Sequence, residues 1–282
     1  MNATPALRPP IVYFGGKMLL AERIVATFPA HGHYVEPFAG SLAVLLAKKP
    51  SDHETVNDLD GDLMTFWRVL RDHPADLERA CALTPHSRTE HAASYQSNDA
   101  PTDLERARRV WVQLAQGRAG MRRKTGWRHY IDPAGSSASM PGYLAGYVAR
   151  IAPAAERLRG VSLESRPALD IITKYGQQPG VLLYVDPPYL GSTRSSGSYM
   201  VEMSTAEEHC ALAEALRAAK ASVVLSGYPS PLYDDLYAGW DRLEFEASTG
   251  QGGTWENRRE VLWSNRPINE PNLLDLLQGG DQ

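Results

Sequence analysis

Five apolar residues in a row, Val181-Leu182-Leu183-Tyr184-Val185, stop abruptly at Asp186-Pro187-Pro188-Tyr189. A strand with one wet face alternates apolar and polar residues, whereas a continuous run needs cover on both faces, as in the central strand of a parallel sheet layered between helices. The preceding chain has the same character. A strand at Tyr34 to Glu36 is followed by a helix at Leu42 to Lys48, and a strand at Thr55 to Asp58 by a helix through Met64, Phe66, Trp67, Val69 and Leu70. This alternation predicts a doubly wound α/β domain with a mostly parallel sheet.

Between Pro74 and Gly160 the strand signal is lost, and the chain reads as helical, basic and broken by Gly and Ser. Its middle, Gly117 to Met140, reads as a long loop or irregular module. Strand character returns at Val161 to Glu164 and at the apolar run. Ser204 followed by Glu207 predicts a capping box that opens a helix to about Ala219. Ser222 to Ser226 reads as a strand, and Leu243 to Ala247 with Val261 to Ser264 as a closing pair, which makes seven strands in all. A chain of 282 residues can bury one large core with an excursion. The expected organisation is therefore one domain formed by 1–73 and 161–282, interrupted by an insertion at 74–160.

No apolar run approaches the roughly 18 residues of a membrane span, and Met1 to Pro10 has neither the basic start nor the apolar stretch of a secretory signal, so a cytoplasmic protein is expected. Cys81 and Cys210 lie far apart in helix-like segments and read as buried thiols, and no metal is expected. The net charge of −4 excludes a protein that coats nucleic acid by bulk charge, but not a local basic face. Arg106, Arg108, Arg109, Arg118, Arg122, Arg123, Lys124 and Arg128 crowd a stretch whose one acid is Glu105.

In such sheets ligands gather at the carboxyl ends of the strands. Three motifs fall there. Glu36-Pro37-Phe38-Ala39-Gly40-Ser41 follows the first strand, and Gly40 would admit close approach of a ligand or simply make a tight turn. Asn57-Asp58-Leu59-Asp60 follows the second, where Asp58 could accept hydrogen bonds from ribose hydroxyls; alternatively Asp60 or Asp62 caps the next helix and Asp58 is a turn residue. The third is Asp186 to Tyr189, whose prolines fix the backbone.

Taken in order, these motifs resemble those of the Dam-like (D12 class) N6-adenine-specific DNA methyltransferases. Tyr13-Phe14-Gly15-Gly16-Lys17 resembles the family's N-terminal cofactor motif, and Ser226-Gly227-Tyr228 and Arg259 to Asn265 its late strands. The resemblance implies a Rossmann-like class I S-adenosylmethionine-dependent methyltransferase sheet with a mainly helical inserted target-recognition module. It implies S-adenosylmethionine as cofactor, beside Tyr13, Lys17, Glu36, Phe38, Gly40, Asp58, Asp170 and Asp186. Lys17 could equally be an ordinary lysine before a helix, and Asp170 part of a solvated helix. The family carries a further glycine near position 42; here Leu42 stands instead, which raises a doubt about cofactor affinity.

The catalytic residues implied are Asp186, Pro187 and Tyr189. The Asp186 carboxylate and the Pro187 carbonyl would accept the two amino hydrogens of adenine, localising a lone pair otherwise delocalised into the ring, while Tyr189 stacks on a base drawn out of the duplex. The partner implied is double-stranded DNA, met by a monomer through Arg118, Arg122, Arg123, Lys124 and Arg128, with Arg106, Arg108 and Arg109 as a solvated helix face in part. Trp127 and Tyr130 could stack on bases or belong to the core. N4 methylation of cytosine and a non-catalytic DNA-binding protein with the same fold are the alternatives.

Overall fold

The computed structural model describes residues 7–96, 102–130, 139–189, 203, 205–251 and 254–268, with the backbone alone for 246–251 and 254–258. Seven strands form one sheet: β1 (His33–Glu36), β2 (His53–Asn57), β3 (Val161–Glu164), β4 (Val181–Val185), β5 (Ser222–Gly227), β6 (Asp241–Gln251) and β7 (Thr254–Ser264). Their order is β3-β2-β1-β4-β5-β7-β6; the first five run parallel and β7 inserts antiparallel between β5 and β6. This is the doubly wound, Rossmann-like sheet expected. The chain winds outward from β1 through β2 to β3, then returns to start β4 on the other side of β1. The loops leaving β1 and β4 part there, opening the crevice in which such sheets bind ligands.

The apolar run of β4 is buried on both faces. Leu182 and Tyr184 join one hydrophobic cluster with Tyr34, Val56 and Leu262, while Leu183 and Val185 join another with Val35, Val223, Leu225 and Trp263. Burying each such aliphatic side chain contributes roughly 1.5–3 kcal/mol, so the centre of the sheet is its firmest part. On the second face lie α9 (Ala168–Tyr175), α10 (Ala206–Arg217) and α11 (Pro231–Leu236).

The first face carries α1 (Ala21–Ala26), α2 (Ala43–Ala47), α3 (Gly61–Asp72) and the helices of 74–160: α4 (Pro74–Ala82), α5 (Arg88–Ala93), α6 (Asp103–Gln116), α7 (Met140–Val148) and α8 (Ile151–Leu158). Leu77, Trp111, Leu144 and Ile151 share the cluster that contains Tyr34 and Leu182. The inserted helices thus thicken one face of the sheet without a separate core, and α8 leads straight into β3.

Three details differ from expectation. The capping box of α10 is Thr205 with Glu208, one residue later than expected, and Ser204 lies outside the described residues. The closing hairpin is longer, since its outer part, Ala247 to Gln251 against Thr254 to Arg258, pairs only with itself and needs no apolar run. Cys81 is buried, but Cys210 is partly exposed. Among the described residues no helix is long and apolar enough to cross a membrane.

Candidate active site at the strand ends

A cavity of about 350 Å³ opens where β1, β2 and β4 end. Asn57, the last residue of β2 and wholly buried, ties its walls together. Its side chain donates to the Pro37 carbonyl at 2.9 Å and the Arg166 carbonyl at 3.0 Å, and accepts from the Arg166 N–H at 2.8 Å. One amide thereby holds the loops after β1 and β3 against the end of β2.

The loop after β1 turns at Gly40, where φ is +46° and an added Cβ would lie 3.2 Å from the Tyr13 ring. Trp67 of α3 pins this turn by donating to the Gly40 carbonyl at 3.1 Å. Leu42 also adopts a left-handed conformation, φ 55°, one that a glycine takes without strain. The strain of about 1–2 kcal/mol is matched by burial, since Leu42 is wholly buried and its side chain is absent from the cavity wall.

In the second motif the cap and the cavity-facing acid are different residues. Asp60 caps α3, accepting from the N–H groups of Asp62 and Leu63 at 3.1 and 3.2 Å. Asp58 is thereby left to face the cavity, its oxygens accepting from Gly40 N–H at 3.1 Å and Asp60 N–H at 3.0 Å. Burial pushes its carboxyl up to about 6, against the pull of these N–H donors and of the Arg122 charge. Each carboxylate oxygen keeps a lone pair for a further donor.

Glu36 is buried and accepts from the Tyr34 hydroxyl at 2.9 Å. Burial, aided by the Asp186 charge, raises its pKa to about 8 although the Tyr34 bond opposes this. Across the cavity Lys17 is itself buried, with Nζ 2.8 Å from both Asp186 oxygens, 3.0 Å from the Gly15 carbonyl and 3.6 Å from Glu260. Burial raises the pKa of Asp186, and the Lys17 ammonium opposes it.

Of the residues expected around a cofactor, Tyr13, Lys17, Glu36, Phe38 and Gly40 line this cavity together with Asp58 and Asp186. Asp170 does not. It sits half-exposed on α9, paired with Arg166 one turn earlier at 3.3 Å, and Pro167, Ala168 and Leu169 form the wall in its place. Pro187 is buried, while Pro188 reaches the cavity.

Tyr189 differs most from expectation. It is 5% exposed, with its hydroxyl 2.6 Å from Glu260 and 3.2 Å from Asp186 and its ring 4.3 Å from that of Tyr228. In this state it braces Asp186 and Lys17 and offers no open face to a base. Glu260 of β7 was not among the expected site residues. It accepts from Ser226 at 2.6 Å as well as from Tyr189, and burial raises its pKa. Its one signal in the sequence is a carboxylate directly before the apolar Val261-Leu262-Trp263.

The basic residues divide. Arg118, Arg123 and Lys124 are exposed on a loop closed by the Gly117 to Trp127 bridge. Arg128 is half-buried, bonded to the Tyr143 hydroxyl. Arg122 is 7% exposed and pairs with Asp60 and Asp62, so it is not presented at the surface beside Arg123 and Lys124: its charge is engaged inside the protein. On α6, Arg106 pairs with Asp62 at 2.7 Å, Arg108 with Glu90 at 2.6 Å and Arg109 with Glu105 at 2.8 Å, an ion-pair lattice instead of a free basic face. Trp127 is stacked between His86 at 4.4 Å and His129 at 5.1 Å, whereas Tyr130 is 47% exposed.

Residues 13–250 match the model of the D12 class N6 adenine-specific DNA methyltransferases. Two solved structures of the rRNA methyltransferase aviRa from Streptomyces viridochromogenes are distantly similar. The first has 14% identity and a TM-score of 0.37, covering 100% of this chain and 92% of that one. The second has 12% identity and a TM-score of 0.38, covering 99% and 92%. No curated protein matches the sequence significantly.

Proposed function

Since the chain belongs to the D12 class N6 adenine-specific DNA methyltransferase family, we propose that the strand-end cavity is its active site, with S-adenosylmethionine at the β1–β2 end and the target adenine at Asp186. The observation that carries this is the shared wall: Asp58, Glu36 and Asp186, from the ends of three neighbouring strands, face one cavity. The residues suit the cofactor. Apolar Phe38, Leu59, Pro167 and Leu169 can cover a flat base, Asp58 has lone pairs for ribose hydroxyls, and a volume of about 350 Å³ falls in the range of small-molecule sites.

When bound, S-adenosylmethionine supplies a methyl group on a positively charged sulfur. Glu36, holding a proton up to about pH 8, can release it and place a negative charge in the cavity wall when a cationic group enters. The Lys17 ammonium favours the charged form of Asp186 against burial, and a lone pair for an amino hydrogen is freed on Asp186 Oδ1 when Tyr189 gives up its bond there. The Pro187 carbonyl accepts the other hydrogen. Tyr189 serves first as a brace, through its hydroxyl, and stacks on the base only after that bond is given up.

DNA lies against Arg118, Arg123 and Lys124, with Arg128 in reserve behind Tyr143. Methylation is site-specific and takes place in the cytoplasm, where the DNA is. Digesting labelled duplex DNA to nucleosides tests this. Label in N6-methyladenine supports the reading, label in N4-methylcytosine replaces it with its closest rival, and label only in RNA or protein overturns it.

A further inference from the structure

Arg122 lies at the meeting point of the DNA-facing loop and the cofactor wall. Its Nε donates to Asp60 at 3.0 Å and one Nη to Asp62 at 2.9 Å, and Arg106 reaches the other Asp62 oxygen at 2.7 Å. Asp60 in turn donates its backbone N–H to the Asp58 carboxylate at 3.0 Å, and that carboxylate holds Gly40. Two hydrogen bonds thus separate Arg122 from the group assigned to the ribose. A second seam runs alongside: the Gly120 carbonyl accepts from Phe14 N–H at 2.8 Å. Gly120 has φ +62° and sits so close to Val12 that an added Cβ would be 2.7 Å from its Cγ1. The next residues after Arg122, Arg123 and Lys124, are exposed.

From this geometry we infer that Arg122 is a positioning residue that couples DNA binding on the 117–128 loop to cofactor binding at Asp58. The inference rests on the functional reading above. A guanidinium withdrawn from water is held in one place by its carboxylates, because leaving it, or the buried Asp60, without its charged partner is costly. A loop fixed by DNA therefore fixes Asp60 and, through it, Asp58. Coupling of this kind is reciprocal, so the cofactor tightens DNA binding by the factor by which DNA tightens the cofactor. Arg122 differs in this from its neighbours: Arg123 and Lys124 meet the phosphates, and Arg122 transmits their engagement inward.

The test is to titrate S-adenosylmethionine into wild type, Arg122→Met and Arg123→Ala, each alone and with unmethylated duplex DNA prepared from a methylation-deficient host. Wild type should bind the cofactor about five- to tenfold more tightly with DNA present. Arg122→Met should lose about tenfold in cofactor affinity without DNA and show no enhancement with it. Arg123→Ala should weaken DNA binding and leave DNA-free cofactor affinity as in wild type. Should Arg122→Met fail to fold, Asp60→Asn decides, because an amide oxygen can still cap α3 while the charge that holds Arg122 is lost. It should fold normally and show reduced enhancement; full enhancement in that variant overturns the inference. So does an Arg122→Met protein that binds cofactor normally and loses DNA as Arg123→Ala does, which would make Arg122 a direct DNA contact. A wild type that binds no cofactor at all overturns the functional reading and the coupling with it.

Discussion

The strand-end cavity and the 117–128 loop lie side by side but are held by different means. The cavity walls are turns at the ends of a sheet whose register is set by two buried faces, and the neutral side chains of Asn57 and Trp67 lock those turns by donating to backbone carbonyls. The loop has backbone ties at the Gly117 to Trp127 bridge and at Gly120, and depends on ion pairs for the rest of its place, above all Arg122 on Asp60 and Asp62. Geometry needed for chemistry is thus built into the sheet, while geometry needed for recognition hangs on ion pairs that can be exchanged.

Breaking the cavity should have the largest effect. Asp186→Asn keeps the shape of the side chain but not its charge, and should lower the methyl-transfer rate by about 10²–10³ in single-turnover assays while the cofactor still binds. Comparable rates in that variant would remove Asp186 from the chemistry. Loosening the loop should cost less. Arg123→Ala with Lys124→Ala should weaken DNA binding on the order of tenfold and lower the salt dependence of the logarithm of affinity by about two. An unchanged salt slope would show that neither side chain meets phosphate.

The two regions were also unequally legible in the sequence. The cavity motifs are local: an apolar run, a turn and an acid within a few residues, so Gly40, Asp58 and Asp186 could be placed from strand ends alone. Glu260 could not, because its partner Tyr189 is 71 residues away and nothing local marks the pairing. Arg122 looked like any other cation in a basic stretch, since its partner Asp60 is 62 residues away. Asp170, implied by resemblance, belongs to a helix turn whose start forms the wall, so its own side chain points to Arg166. Patterns at strand and helix spacing thus report backbone position, and long-range polar pairing stays hidden until the chain is folded.

A subtler contrast lies in the acids. Burial raises Glu36 from 4.5 to about 8, so the folded chain keeps a proton that the unfolded chain releases. Stability from this group is complete below about pH 4.5 and declines as pH rises toward about 8. The melting temperature of cofactor-free protein should fall on the order of 5 °C over that interval, and Glu36→Gln should flatten the slope. A rise with pH would contradict the assignment. The smallest effect is expected at Leu42. Leu42→Gly relieves strain but loses a buried side chain, so the fold is weakened, while cofactor affinity by calorimetry should stay within about twofold. A tenfold gain would show that Leu42 does restrict the pocket.

The account turns on where the cofactor sits, and its most direct test is calorimetric titration of S-adenosylmethionine into wild type and Asp58→Asn across pH. Wild type should bind one equivalent and lose affinity as pH falls through about 6, where Asp58 takes up a proton. Asp58→Asn should bind more weakly, with that step gone. Equal affinity and an identical pH profile in the two proteins would contradict the placement of the cofactor in the strand-end cavity.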